Sequence, residues 1–247
     1  MGTKTNTGFT IIETMLFLAV SGALAAAILA GSSVTISQQR YRDSVNSLKS
    51  FIQQQYSETT NTSNDRAGNE GCANAVVLQP PASVTSQSRG TSDCILLGRF
   101  IAISSTGKKI TVSNVVGYRT PGAKEAVSDF LELKTNYTLG ISPIGQEVSE
   151  VAWNAAVVKK QTTQPTAVSI LILHSPLSGS IMTYTSQSAV TQLQTMVVPA
   201  NGNKDADLCV DPSLGVFAGN RMAVRIGAFA SGQGAVQVPP ESSNVCD

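Results

Sequence analysis

GFTIIETMLFLAVSGALAAAILAG, residues 8–31, is apolar from Phe9 onward except for a few small hydroxyl side chains and one charge, Glu13. At about 1.5 Å rise per residue, roughly 20 helical residues cross the hydrocarbon of a bilayer, so this stretch is long enough for one span. A carboxylate inside such a segment is costly and calls for a functional reason. Residues 1–8 carry Lys4 and are otherwise small and polar, too short to hold the apolar core and cleavage site of a secretory signal. Asn6 stands where an N-myristoylation motif wants Ser or Thr. Lys4 on one side of the span is answered by Arg40 and Arg42 on the other, so the positive-inside count does not fix the orientation.

The helix should continue beyond the apolar block. No proline precedes Pro80 and no glycine lies between Gly31 and Gly68, so nothing breaks it as it leaves the apolar layer. Tyr41, Val45, Leu48, Ile52 and Tyr56 then recur at helical spacing, with Arg42, Asn46, Lys49, Gln53 and Gln54 largely on the other faces. That stripe predicts burial against a globular body, and Phe9 to Tyr56 would form a rod of roughly 70 Å.

Gly8 directly before Phe9, with Glu13 further on and an unbroken apolar run behind it, resembles the class III signal of type IV prepilins and pseudopilins. The resemblance covers residues 4 to about 58. It implies that a membrane peptidase cuts after Gly8 and methylates Phe9. It also implies that Glu13 pairs with the amino terminus of a neighbouring subunit during filament assembly. In that family the apolar half of the helix bundles in the filament core and the amphipathic half packs into the head. Many type IV pilins carry a proline in the apolar half; here there are Gly22 and Gly31 and no proline. The expected organisation is a leader at 1–8, a helix at 9–58 with its transmembrane part at about 9–31, and a β-rich head at 59–247. The fold class is α+β, with the long helix packed on the head.

The chain has 247 residues, of which 42% are apolar and 13% charged, with a net charge of +1. The part after the anchor is long enough for one core, and the near-neutral charge argues against wholesale polyanion binding. A polar stretch, residues 57–71, should end the helix. Strands are expected at Cys94–Ser104 and Ile110–Tyr118 around a Thr106-Gly107 turn, and at Ala167–His174, Ile181–Thr185, Met196–Val198, Met222–Ile226 and Ala235–Val238. Residues 123–133 read as a short helix and Lys159–Thr166 as a surface loop. Cys72, Cys94, Cys209 and Cys246 all lie in the head, which suits an oxidising exterior. Of three connectivities, nearest neighbours are favoured, Cys72 with Cys94 and Cys209 with Cys246, each stabilising by about 3–4 kcal/mol in the chain-entropy model.

Chemistry in the head has little support in the sequence. His174 is the only histidine; Ser175 beside it would point to the opposite face of a strand, and no nucleophile elbow, phosphate loop or zinc spacing occurs. The expectation is a protein that is not an enzyme and holds no cofactor or metal. Asp205, Asp207 and Asp211 around Cys209 lack a calcium-loop spacing and read as a solvated acidic loop. Residues 219–227, GNRMAVRIG, would place Arg221 and Arg225 side by side on the outer face of a strand, where guanidinium groups can engage phosphates. With Leu208-Cys209-Val210 before it, the segment looks like the C-terminal part of the FimT/GspH group of minor pilins and pseudopilins, some of which bind DNA through late arginines. A solvated strand face is the competing reading of the same residues.

The resemblance thus implies a structural subunit, of the minor pilin type, of a type IV pilus-like filament. Its partners would be other pilin subunits, the prepilin peptidase, the assembly platform, the membrane and, through Arg221 and Arg225, DNA. It would be a single-pass membrane protein with its head outside the cytoplasm, then part of an extracellular pilus. The alternatives are a pseudopilin of a type II secretion system, in a periplasmic pseudopilus, and a membrane-anchored DNA-uptake protein.

Overall fold

In a computed structural model of the chain, residues 10–61, 71–73, 76–78, 94–212, 220–240 and 243–246 are described, without the side chains of 30, 71–73, 76–78 and 200. Helix α1, Ile11–Thr60, runs unbroken for 50 residues, about 75 Å at 1.5 Å per residue. Thr10 caps it, its hydroxyl accepting from the Glu13 amide at 3.3 Å. The helix continues into the stretch expected to end it: the Thr59 and Thr60 hydroxyls bond back to the carbonyls of Gln55 and Tyr56 at 2.8 and 2.9 Å. These bonds satisfy the side chains locally and cost the helix little, so its end falls at Asn61.

The two halves of α1 differ in burial. Ile11, Ile12, Met15, Leu16, Phe17, Leu18, Val20, Leu24, Ile28, Leu29, Val34 and Ile36 are exposed. The hydroxyls of Thr14, Ser21, Ser32, Thr35 and Ser37 donate to carbonyls three or four residues back, which satisfies them within the helix. The window is long and apolar enough to cross a membrane. In the other half Tyr41, Val45, Leu48, Ile52 and Tyr56 are all buried, the expected stripe.

The head is two antiparallel sheets. The larger is built from β3 (Cys94–Ile103), β4 (Lys109–Arg119), β5 (Tyr137–Ile141), β6 (Glu147–Glu150), β8 (Val168–His174) and β9 (Ile181–Ser186), in the order β5-β4-β3-β8-β9. β6 pairs with the first part of β4 and β5 with its last part, so the two share one edge. The smaller, from β7 (Ala156–Val158), β10 (Ala206–Asp211), β11 (Ala223–Ile226) and β12 (Val236–Gln237), has the order β12-β11-β10-β7. A two-stranded ribbon, β1 (Gly71–Ala73) with β2 (Val76–Leu78), completes the described strands.

The helix stripe fills the space between the sheets. It shares one core with Ile101, Ile103, Ile110, Val112, Val168, Ile170 and Ile172 of the large sheet and Ala206, Leu208, Val210, Val224 and Ile226 of the small one. The alternate residues of the large sheet, Phe100, Val115, Leu171 and Leu173, face a second cluster with Leu133, Leu193, Met196 and Val197. β8 is therefore buried on both faces, which is why it reads as a continuous apolar run. The β3–β4 hairpin closes at Gly107, with φ 68°. A Cβ there would stand 2.1 Å from the Val157 carbonyl oxygen.

Several expected elements are corrected. Met196–Val198 is not a strand. It follows a 3-10 turn at Leu193–Thr195 and lies as a cover over the outer face of the large sheet. The sheet edge beside it is occupied by Gln194, whose Oε1 accepts from the Leu139 amide at 3.3 Å. Residues 123–133 form no continuous helix. Only α2, Asp129–Leu131, is α-helical, capped by the Ser128 hydroxyl, and a wide π-turn follows at Glu132–Asn136. The buried Glu132 carboxylate holds the preceding chain out of the helix by accepting from the Ala126 amide at 2.8 Å and Asn136 Nδ2 at 2.6 Å. The segment around Asp205, Asp207 and Asp211 is not a solvated loop but the strand β10, with Ala206, Leu208 and Val210 turned to the core.

Candidate functional site

Among the described residues, most of the exposed large apolar side chains lie on the bare half of α1. Glu13 is exposed within its first turn. Thr10-Ile11-Ile12-Glu13 has the spacing of a capping box, so Glu13 stands at a helix start where a negative charge also meets the positive end of the helix dipole. Gly8 and Phe9 fall outside the described residues.

What holds this lever to the head is a set of polar contacts at the ends and middle of the buried stripe. The Tyr41 hydroxyl accepts from the Met222 amide at 2.6 Å and donates to the Val210 carbonyl at 2.8 Å. The Val210 amide donates to the Met222 carbonyl at 3.0 Å, so the helix hydroxyl sits where the return bond of that antiparallel pair would close. This is why β11 starts at Ala223 and not at the expected Met222. At the far end the Thr183 hydroxyl gives its one proton to the Ala230 carbonyl at 2.7 Å. Tyr56 must therefore donate in its 2.9 Å contact with Thr183. Burial pushes the Tyr56 pKa up to about 12. Between them Gln53 Nε2 donates to the Gln233 and Val236 carbonyls at 3.0 and 3.1 Å.

The C-terminal tail is fixed by the expected Cys209–Cys246 disulfide, with a Cα–Cα separation of 5.6 Å and both cysteines fully buried. Cys94 is also disulfide-bonded; the side chain of Cys72, its expected partner, lies outside the described set.

Arg221 and Arg225 do not stand as a free pair. Arg225 is directly opposite Asp207 in the β10–β11 register, and its guanidinium grips that carboxylate through Nε at 2.6 Å and Nη2 at 3.2 Å. The Asp207 bond raises the Arg225 pKa further. Arg221 precedes the strand and donates to the Thr162 carbonyl. A phosphate at this face would have to compete with a carboxylate already held through two charge-assisted bonds. The three aspartates also go separate ways: Asp205 accepts from the Ala228 amide at 2.8 Å, and no group of three metal-ligating side chains gathers among the described residues. Ser175 donates to Asp129 Oδ1 at 2.5 Å, and this bond holds the Asp129 pKa below the usual carboxylate value.

Sequence reading missed Trp153. It projects from the loop between β6 and β7 with φ 57° and ψ 30°, and Asn154 follows at φ 56°. A bulky aromatic in the left-handed region costs about 1–3 kcal/mol and persists only where the surroundings enforce it. Compared with known protein families, characterised proteins and solved structures, this chain has no match. Its functional reading therefore rests on its own residues and geometry.

Proposed function

We propose that the chain is a structural subunit, of the minor pilin type, of a type IV pilus-like filament, stored in the membrane by α1 and assembled through the same helix. The observation that carries this reading is the Gly8-Phe9 signal with Glu13, placed at the head of a 50-residue helix that is bare over its apolar half and embedded over the rest. A tether needs only a span. An exposed apolar rod rigidly continuous with the head core also serves to exchange lipid for other copies of itself, carrying the head with it. After the proposed cut at Gly8, the Phe9 ammonium of one subunit compensates the Glu13 carboxylate of the next, which would otherwise be an unpaired charge in an apolar bundle. The irregular head with its disulfide-tied tail suits a priming or tip subunit better than the repeating one.

The test is the pair Glu13→Ala and Glu13→Gln, scored for membrane insertion and for incorporation into filaments. Both variants should insert normally. Both should lose incorporation, since breaking a buried ion pair costs about 3 kcal/mol or more, roughly a hundredfold in subunit affinity. Glu13→Gln separates pairing from capping, because Gln serves as well as Glu at the third helical position of a capping box and loses only the charge. Normal incorporation of Glu13→Gln would contradict the proposed role.

A further inference from the structure

The surface where α1 leaves its bare half and enters the head holds a pocket that the filament reading does not use. A cavity of about 360 Å³ lies between the helix and the loop before β7, lined by Ser37, Arg40, Ser44, Trp153 and Asn154 among others. Trp153, the sole tryptophan of the chain, is 56% exposed there, and the Arg40 guanidinium lies over its ring at 5.0 Å. Arg40 makes no ion pair among the described residues. Ser44, also a lining residue, is fully buried, and its hydroxyl has no hydrogen-bond partner among the described residues, an orphaned polar group of a kind that folded proteins rarely keep.

The loop is built to hold Trp153 outward. The Val151 amide donates to the Lys108 carbonyl at 2.8 Å and the Ala155 amide to the Ala152 carbonyl at 3.2 Å. Lys108 Nζ donates to Asn154 Oδ1 at 2.7 Å, while Val151 and Ala155 are buried on either side. Two successive left-handed residues pinned in this way fix the direction of an exposed indole, and observed strain of this kind marks functional positions.

Position along the helix identifies the occupant. With Ile11 at the start of the hydrocarbon, roughly 20 residues reach its far side and the headgroup layer takes about four or five more, so Ser37 lies just outside that layer and the Arg40 backbone about 8 Å beyond it. Helical side chains tilt toward the N-terminus, which swings the Arg40 guanidinium back toward the lipid surface. Tryptophan concentrates at headgroup level, and arginine extends its charge to it. Arg40 lines the pocket and Lys108 reaches the lining residue Asn154, with Arg42 and Lys109 nearby in the chain. The acidic groups in the neighbourhood are Asp43, three residues along the helix, Asp211 beside Pro212, and Glu150 opposite Lys109 in the β4–β6 register.

We propose that this pocket takes the phosphodiester headgroup of an anionic membrane lipid, bound by Arg40 against the Trp153 face, so that the head is seated on the bilayer while the subunit waits in the membrane. The proposal rests on α1 spanning the membrane. It is tested with the full chain, disulfides intact, reconstituted in phosphatidylcholine vesicles containing increasing fractions of phosphatidylglycerol, together with a lipid bearing a quencher on its headgroup. Tryptophan emission then reports Trp153 alone. Quenching and a blue shift that grow with phosphatidylglycerol are expected, and Arg40→Gln, an exposed helical substitution, should move the half-effect to about fivefold more anionic lipid, the worth of one cation at such a surface. Water-like emission, unquenched at every lipid composition in chain that floats with the vesicles, would overturn the proposal and leave the span intact. Quenching that follows protein-to-lipid ratio and ignores phosphatidylglycerol would assign the pocket to a second copy and overturn it as well. Chain that does not float with vesicles would overturn the span itself.

Discussion

Replacing Tyr41 with Phe removes one oxygen and tests whether the helix is wired into the small sheet or merely rests on it. The hydroxyl makes two hydrogen bonds, from the Met222 amide and to the buried Val210 carbonyl. A hydrogen bond contributes about 1 kcal/mol net, and a buried group left without a partner costs about 1–3 kcal/mol. If both groups are orphaned the loss is about 3 kcal/mol. If the strands draw together and close the Met222–Val210 bond directly, about 1 kcal/mol returns, so the expected loss is about 2 kcal/mol. For a chain of this size that corresponds to roughly 4–8 °C in Tm. The assay is guanidinium unfolding of the full chain in mild detergent with disulfides intact, with amide exchange followed at Met222 and Val210. Tyr56→Phe is the internal comparison: it loses one bond and leaves Thr183 still donating to Ala230, for about 1 kcal/mol. A Tyr41→Phe variant within about 0.5 kcal/mol of the parent, with Met222 protection unchanged, would show that the helix merely rests on the small sheet.

Other outcomes follow from the same contacts. The Cys209–Cys246 bridge closes a separation of 37 residues, so Cys246→Ser should lose about 4 kcal/mol in the chain-entropy model and loosen the tail, measured by unfolding and by proteolysis near the C-terminus. On the alkaline side, the Tyr56 pKa is raised from 10.0 to about 12. A group raised on folding stabilises fully below its unfolded pKa, and this contribution disappears as pH rises through the folded one. Stability should therefore fall between pH 10 and 12, with Tyr56→Phe flattening that limb, followed by unfolding midpoints and tyrosinate absorbance. An identical slope in the variant would remove Tyr56 as its cause.

The parts of the fold that were legible are those where a period survives burial. Tyr41 to Tyr56 kept its helical spacing because one face alone meets the sheets, and β8 and the β3–β4 hairpin carried long apolar runs around a glycine turn. β10 was hidden because Asp205, Asp207 and Asp211 outweigh Ala206, Leu208 and Val210 in any compositional reading, although the alternation was there to be found. Met196 and Val197 are as apolar and buried as strand residues, yet they cover a sheet face and join no strand ladder among the described residues. The Arg225–Asp207 pair depended on the register of a strand that had not been recognised, so the two arginines read as a free face. Trp153 gave almost no signal: its left-handed backbone is enforced by Lys108, Val151 and Ala155, contacts set only by the tertiary fold, with Asn154 the sole local hint.

Whether α1 is processed for assembly, as proposed, or only anchors the head is decided by terminal mass spectrometry of the chain taken from membranes or filaments of a cell carrying the peptidase. A mature chain beginning at Phe9 with a methylated amino group is the expected result, since only that cut places an ammonium beside Glu13 of a neighbour. A chain that still begins at Met1, or that begins at Phe9 in membranes but never enters filaments, would contradict the account.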